Sequence, residues 1–374
     1  MDLQLIRKDI DKIDKEIVEL FEKRMKLTYD VAAFKIETGK KVYDKQREEE
    51  KLEVLSGLTE DTFNKQAIRE LFTQIMAISR KKQYSLVKEE DFDTECLVPL
   101  EELPKGKKKV ACFGERGSYT EQAMEEFFGP EIEGINKKTF KEVMDALDQG
   151  EAEYGVLPIE NSSTGGITDI YDLLVNSNKC IIGEHVVKVD QALIGLPGTK
   201  LEQVHTVFSH EQGILQCRAF LEQHPHIKTK AFGSTSGSVK KVKEDGDFGQ
   251  VAIGSERAAR YYDLEVLQSN INADKENSTR FIVITNQKVY MKKGKKISIC
   301  FELKHESGSL YRMLSHFLFN DLSLTKIESR PIENRAWEYR FFLEFEGNLE
   351  DASVQNVMRG VKEEANNVYM FGNF

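Results

Sequence analysis

The sequence predicts a multidomain chain made of an all-α segment, an α/β domain and a small α+β domain of ferredoxin-like type. Three observations predict it. The first 98 residues contain no proline and carry apolar residues at helical spacing, strand-like and helix-like stretches then alternate, and a basic break precedes a final β-α-β-β-α pattern. At 374 residues the chain exceeds one ordinary core, so two or three domains are expected. The divisions fall at 1–87, a linker 88–107, 108–285, a second linker 286–296, and 297–374.

Composition narrows the function. With 40% hydrophobic and 31% charged residues the chain is not disordered wholesale. A net charge of -10 argues against nucleic acid and membrane surfaces as partners, while leaving room for a local basic pocket that holds an anionic metabolite. The start, MDLQLIRKDIDKID, is charged and periodic, which is not the pattern of a signal peptide. No apolar run approaches the roughly 18 residues of a membrane span. Cys96, Cys112, Cys180, Cys217 and Cys300 are scattered without metal-ligand spacing. They read as reduced thiols of a cytoplasmic protein, and the sequence calls for no metal and no cofactor.

In the helical segment Leu3, Ile6, Ile10, Ile13, Ile17, Leu20, Leu27 and Val31 recur at spacings of three and four. The pattern gives one helix to about residue 38, a second near 43–56 and a third near 60–86, with Gly39 and Gly57 at the breaks. The first helix would be about 55 Å long at 1.5 Å per residue. Two shorter partners cannot cover its apolar stripe, so a second chain is expected to do so, making the protein at least a dimer. Arg24 and Lys35 lie 11 residues apart, within roughly 20° of each other around the helix. Arg7 is rotated roughly 100° away, so it can join them only from another chain. Asp44, Arg47 and Glu48 begin the second helix, and Ser79 and Gln83 form an i, i+4 pair late in the third.

The α/β stretch raises a different question. At 156–174, VLPIENSSTGGITDIYDLL, a strand ends in Glu160 and Asn161 and is followed by small polar residues before helical spacing resumes. Donors from Asn161, Ser162, Ser163 and Thr164, with glycines that let backbone approach a ligand, suit a small anion at a helix N-terminus. FGERGSYTEQA (113–123, with Ser118), FSHEQGILQC (208–217, with Ser209, His210 and Gln216) and FGSTSGS (232–238) repeat the theme. His210 suits either a proton shuttle or a hydrogen-bonded structural role. In NSTRFIVI (277–284) strand alternation puts Thr279 and Phe281 on one face and Arg280, as a structural anchor, on the other. Strand ends that converge on a cleft are the usual ligand site of α/β sheets.

Two resemblances organise these residues. The order Arg7, Arg24, Lys35, then Asp44, Arg47, Glu48, then Ser79 and Gln83 resembles the all-helical chorismate mutases. That resemblance implies Arg24 and Arg7 of the partner subunit clamping carboxylates with support from Arg47. It makes Lys35 and Gln83 donors to the breaking ether oxygen, has Glu48 with Asp44 nearby orienting the ring hydroxyl, and puts Ser79 at a carboxylate. The glycine-rich turn before Ser118, PIENSSTG, SHEQGILQC and NSTRF together are similar to prephenate dehydratase, whose catalytic domain has two lobes of the type II periplasmic-binding-protein kind. It implies loss of carbon dioxide and the ring hydroxyl from prephenate, with Thr279 as acid toward the leaving oxygen. Asn161 and Gln216 would position and polarise. Ser118, Ser162 and Ser209 would bind carboxylates, with Glu160 and His210 at the same site. Arogenate is the alternative substrate, and a carboxylate-sensing module without chemistry is the alternative class. The final segment resembles the ACT regulatory domain, which implies phenylalanine as effector near Gly308, Ser309 and Leu310 and near Glu328, Ser329 and Arg330. Its first motif has Ser309 and Tyr311 where the pattern usually has Ala and Val.

Overall fold

The computed structural model describes residues 2–86, 97–103, 106–333, 335 and 337–374. The chain divides into two compact units, one of Met1–Glu95 with Lys295–Tyr369 and one of Cys96–Gly294 with Met370–Phe374. The helical segment and most of the C-terminal αβ part therefore share a unit. Cys96 and most of the first expected linker lie outside the described residues.

The segment begins with α1 (Leu3–Thr38), α2 (Lys45–Ser56) and α3 (Thr62–Tyr84). Each starts on an aspartate whose carboxylate accepts a backbone N–H: Asp2 from Gln4, Asp44 from Arg47 and Asp61 from Asn64. Gly39 ends α1 at φ 63°, a left-handed conformation that costs other residues a Cβ clash. Among the described residues of α1, Thr28 and Ala32 are buried, whereas Ile10, Ile13 and Ile17 are 50%, 54% and 55% exposed. The apolar stripe read from the sequence is thus open in the single chain.

The second unit opens with β1 (Val98–Leu100). It continues through β2 (Lys108–Phe113), α4 (Tyr119–Phe128), β3 (Ile132–Lys137), α5 (Phe140–Asp148), β4 (Tyr154–Asn161), β5 (Gly165–Gly166), α6 (Thr168–Val175) and β6 (Cys180–Lys188). The chain then crosses into a second lobe of β7 (Ala192–Gly195), β8 (Thr206–Ser209), α7 (Glu211–Gln216), α8 (Arg218–Leu221), β9 (Lys228–Ala231), α9 (Thr235–Asp245), β10 (Gln250–Gly254), α10 (Glu256–Tyr261) and β11 (Glu265–Gln268). It returns through 269–277 to β12 (Ser278–Thr285) and ends the unit's main span with β13 (Val289–Met291). The first lobe's sheet has the order β3-β2-β4-β12-β6 with β5 on β4; the second lobe's is β11-β7-β10-β8-β9. Two crossing segments, 189–191 and 269–277, join the lobes.

Residues 286–296, expected as a basic linker, contain β13, which pairs in parallel with β1. The lysines hid an apolar run: Val289 packs into the first lobe's core with Leu100, Leu103 and Met291 around it. The C-terminal part comprises β14 (Lys296–Leu303), α11 (Ser309–Phe319), β15 (Leu324–Pro331), β16 (Tyr339–Glu346), α12 (Ala352–Glu364) and β17 (Asn367–Asn373). Its sheet order, β15-β16-β14-β17, is the ferredoxin-like one, with the last strand added to the pattern expected from sequence. Phe301, Phe317 and Phe345 are its largest fully buried side chains.

The lobes latch at one turn. Ser255 Oγ donates to the Gly117 carbonyl at 2.8 Å, and Arg257 forms an ion pair with Glu125. Gly117 has φ 79°, and a Cβ there would lie 2.5 Å from Ala258 Cα, which is backbone and cannot yield cheaply. Gly117→Ala should destabilise the second unit by about 2 kcal/mol through strain and overpacking, read as a lowered thermal midpoint.

Candidate functional site

A cavity of about 590 Å³ lies in the second unit and draws residues from both lobes. Of the residues singled out in sequence, Ser118, Asn161, His210, Gln216 and Thr279 line it. Antiparallel pairing of β12 on β4 sets Thr279 opposite Asn161, and Asn161 Nδ2 donates to Thr279 Oγ1 at 3.0 Å. The same amide nitrogen donates to Asn277 Oδ1 at 2.8 Å and to the Ser278 carbonyl at 3.0 Å. Its oxygen accepts the backbone N–H groups of Ser163 and Thr164, which folds the small-polar loop back onto the strand. Asn161 is thereby fixed, and a Thr279 hydroxyl that already accepts a bond has its proton directed elsewhere.

Three residues expected at the ligand lie outside the cavity lining and bond elsewhere in this structure. Simple alternation would put Glu160 on the same face as Pro158, which lines the cavity. The β4–β12 register instead pairs Phe281 with Pro158, Arg280 with Glu160 and Thr279 with Asn161, leaving Ile159 as an extra residue. That bulge turns Asn161 inward and Glu160 away, where it pairs with Arg280 at 2.9 Å; Arg280 also holds Glu184 at 2.9 Å. Ser162 lies outside the lining, its Oγ accepting the Ser278 N–H at 3.0 Å. Ser209 is fully buried and donates to the Ile253 carbonyl at 2.9 Å. His210 caps α7, its Nδ1 accepting the Gln212 N–H at 3.3 Å, and its ring lines the cavity.

Thr164 and the FGSTSGS turn, also marked in sequence, reach the lining, whereas Gln191 and Thr168 were not singled out. Gln191, in a crossing segment, is 2% exposed and donates to Gln216 Oε1 at 3.2 Å, so it orients that amide. Thr168, Ser234 and Thr235 bring the starts of α6 and α9 to the cavity beside those of α4 and α7. Helix starts present unpaired N–H groups and partial positive charge, which attract an anion, while the Asp169 carboxylate in the same lining opposes it; no lysine or arginine is among the described lining residues. Burial pushes the thiols of Cys112 and Cys217 up to about 12 and raises Cys180, so none of the three is poised as a nucleophile.

The helical segment carries a separate cationic cluster. Arg24 donates to Ser79 Oγ, joining α1 to α3. Lys35 Nζ donates to the Val42 carbonyl at 2.6 Å. Burial lowers the pKa of both Arg24 and Lys35; for Lys35 the charges of Asp44, Glu363 and Glu48 oppose it. Glu48 is held by Arg80, which the sequence analysis did not single out; it is 7% exposed and stacks over Tyr43. Gln83 Nε2 donates to the Ser79 carbonyl at 3.3 Å, and its Oε1 is buried without a partner among the described residues. Asp44 is spent as a helix cap; Arg7 and Arg47 are exposed. In the C-terminal part Gly308–Leu310 form the head of α11, and Glu328–Arg330 lie on the edge strand β15.

Fold and cavity define a two-lobed α/β protein built to hold a small anion, attached to a helical segment with its own cationic cluster. The prephenate dehydratase family model matches residues 110–289, and the chorismate mutase type II model matches residues 6–84. A bifunctional chorismate mutase/prephenate dehydratase of Aquifex aeolicus is 32% identical, covering 100% of this chain and 98% of that one. This chain belongs to the bifunctional chorismate mutase/prephenate dehydratase family. A solved prephenate dehydratase of Arthrobacter aurescens in complex with L-Phe has TM-score 0.66 at 25% identity, covering 71% of this chain and 88% of that one. A structure described as a novel type of quorum quenching acylase, GqqA, has TM-score 0.65 at 25% identity, covering 71% and 97%.

Arg80→Met leaves Glu48 without its cation in a largely buried position. Differential scanning calorimetry should show the helical segment destabilised by about 3 kcal/mol, with Arg80→Lys recovering part of the loss.

Proposed function

We propose that this chain rearranges chorismate to prephenate in its helical segment and converts prephenate to phenylpyruvate in the two-lobed cavity. The observation that carries the second step is the Thr279–Asn161 pair, a hydroxyl polarised by an immobilised amide at the wall of a cavity ringed by helix starts. In that step the ring carboxylate leaves as carbon dioxide and its electron pair enters the ring. The bond to the ring hydroxyl breaks, and Thr279 donates to the departing oxygen. Gln216, held by Gln191, polarises the same end of the substrate, and the helix starts with Ser118 hold the carboxylates. An acyl-transfer reading is not favoured by the lining: the His210 Nδ1 is engaged by a backbone N–H, and Ser118 and Ser234 accept backbone N–H groups as caps.

The first step is unimolecular and needs orientation and charge stabilisation. Arg24, steadied by Ser79, binds a carboxylate, while Lys35 and Gln83 face the ether oxygen and Glu48 orients the ring hydroxyl. For Gln83 to donate there, its Nε2 leaves the Ser79 carbonyl it now bonds and turns to the substrate. The exposed stripe of α1 supports a dimer in which Arg7 of the partner subunit completes the site. The C-terminal part acts as an ACT regulatory domain that takes phenylalanine, a reading supported by its strand order and by the L-Phe complex of the Arthrobacter relative.

Purified protein given chorismate should form phenylpyruvate. Lys35→Ala should abolish that flux while prephenate is still consumed, and helicity should change little, because the substitution removes one hydrogen bond worth about 1 kcal/mol. Thr279→Val should stop the reaction at prephenate with the fold intact, since Asn161 Nδ2 keeps two other acceptors. Normal prephenate turnover by Thr279→Val would overturn the dehydration mechanism. Phenylalanine should bind by calorimetry and slow phenylpyruvate release; no heat and no inhibition would remove the regulatory assignment.

A further inference from the structure

One peptide group in the α1–α2 connection is held at both ends by charge. The carbonyl of Val42 accepts from Lys35 Nζ at 2.6 Å, and the N–H of the same peptide, on Tyr43, donates to Glu363 Oε2 at 3.0 Å. The Tyr84 hydroxyl donates to that same carboxylate oxygen, and Arg359 donates to the Tyr84 carbonyl at 3.2 Å. Glu363 and Arg359 belong to α12 of the C-terminal part, whereas Lys35 belongs to α1. All of them lie in the same compact unit. A cavity of about 300 Å³ runs along this junction and is lined by Lys35, Tyr84, Arg359, Lys362 and Glu363.

We propose that Glu363 is a positioning residue for the chorismate rearrangement, acting on Lys35 through the Val42–Tyr43 peptide. This rests on the mutase reading above. An ammonium has three donors. Spending one on the Val42 carbonyl fixes the rotation of the other two, which are the ones available to the substrate. The direction of that carbonyl depends on what the opposite end of its peptide bonds to, and Glu363 supplies the bond. Amide groups bonded at both ends polarise, so a carboxylate on the N–H strengthens the acceptance of the Lys35 proton by the oxygen. Glu363 also supplies negative charge near an amine that burial otherwise disfavours as a cation. The other charges facing Lys35 are Asp44, Glu48 and Arg80, and Lys40, Lys41, Arg359 and Lys362 share the cavity wall. The consequence is a route by which movement of α12 alters mutase chemistry without touching substrate.

The test uses the full chain with Glu363→Ala, Glu363→Gln and Tyr84→Phe, each first shown to match wild type in circular dichroism and thermal melt. Glu363→Ala should lower mutase kcat about tenfold, the scale of one lost charge-assisted hydrogen bond, and leave KM within about twofold. Glu363→Gln keeps an acceptor and loses the charge, so it should recover part of kcat near neutral pH and lose activity on the basic limb. Tyr84→Phe should fall between wild type and Glu363→Ala. The sign follows from the cation: without the carboxylate the Lys35 pKa falls further, so the charged amine is lost at lower pH. A second readout needs no turnover. The pH midpoint of Lys35 acetylation, followed by peptide mass spectrometry, should move down in Glu363→Gln and Glu363→Ala. An unchanged kcat together with an unchanged acetylation midpoint in both variants overturns the proposal. Wild-type protein that leaves chorismate intact overturns the mutase reading instead, and the acetylation midpoint still decides the link between Glu363 and Lys35.

Discussion

The register between β4 and β12 determines which side chains meet at the cavity. Antiparallel partners share a face of the sheet, so Thr279 and Phe281 carry Asn161 and Pro158 with them to the cavity side. Because Asn161 and Pro158 are three residues apart where regular alternation allows two, β4 must hold one extra residue, Ile159. Proline has no N–H to give the ladder, and an irregularity next to Pro158 is where a sheet tolerates that loss best. The same bulge sends Glu160 to the opposite face, where Arg280 neutralises it. A neutral amide takes its place, so Asp169 rather than Glu160 is the carboxylate in the lining.

The two candidate sites hold anions by different physics. In the helical segment full charges on Arg24 and Lys35 are partly buried, and burial opposes their ionisation while Glu48 and, for Lys35, Asp44 and Glu363 restore it. Such a site needs its counter-charges in place and is sensitive to its surroundings. The cavity of the second unit draws mainly on helix starts, amides and hydroxyls, which act as dipoles, with Asp169, His210 and Tyr119 as ionisable side chains in its lining.

Much of this was legible in the sequence, for physical reasons that also explain the misses. The long proline-free period gave α1, α2 and α3 to within a few residues, because the apolar stripe and the breaks at Gly39 and Gly57 agree. Asn161 stood out by the run of small polar residues after its strand, whereas Thr279 was marked by the resemblance of NSTRF to the prephenate dehydratase motif. The outward turn of Glu160 was not legible, because a bulge is a pairing property, invisible until the partner strand is known. Ser209 looked like a ligand contact by its neighbours, but a hydroxyl at a strand end serves equally well by bonding the adjacent strand. Gln191 and Arg80 carry no motif; their burial comes from elements far away in sequence. The lysines around Val289 masked a strand whose apolar side is short.

The strand that bears Thr279 lies between β4 and β6 in the first lobe's sheet, yet it follows the whole second lobe in the chain. On a ribosome, therefore, the second lobe is contiguous and able to close as soon as residue 268 has emerged, while the first must wait with a gap in the middle of its sheet. β4 and β6 pass through that interval with unpaired edges, the moment at which a nascent chain is most exposed to wrong pairing. Insertion of β12 ends it, and assembles Thr279 with Asn161 in the same stroke.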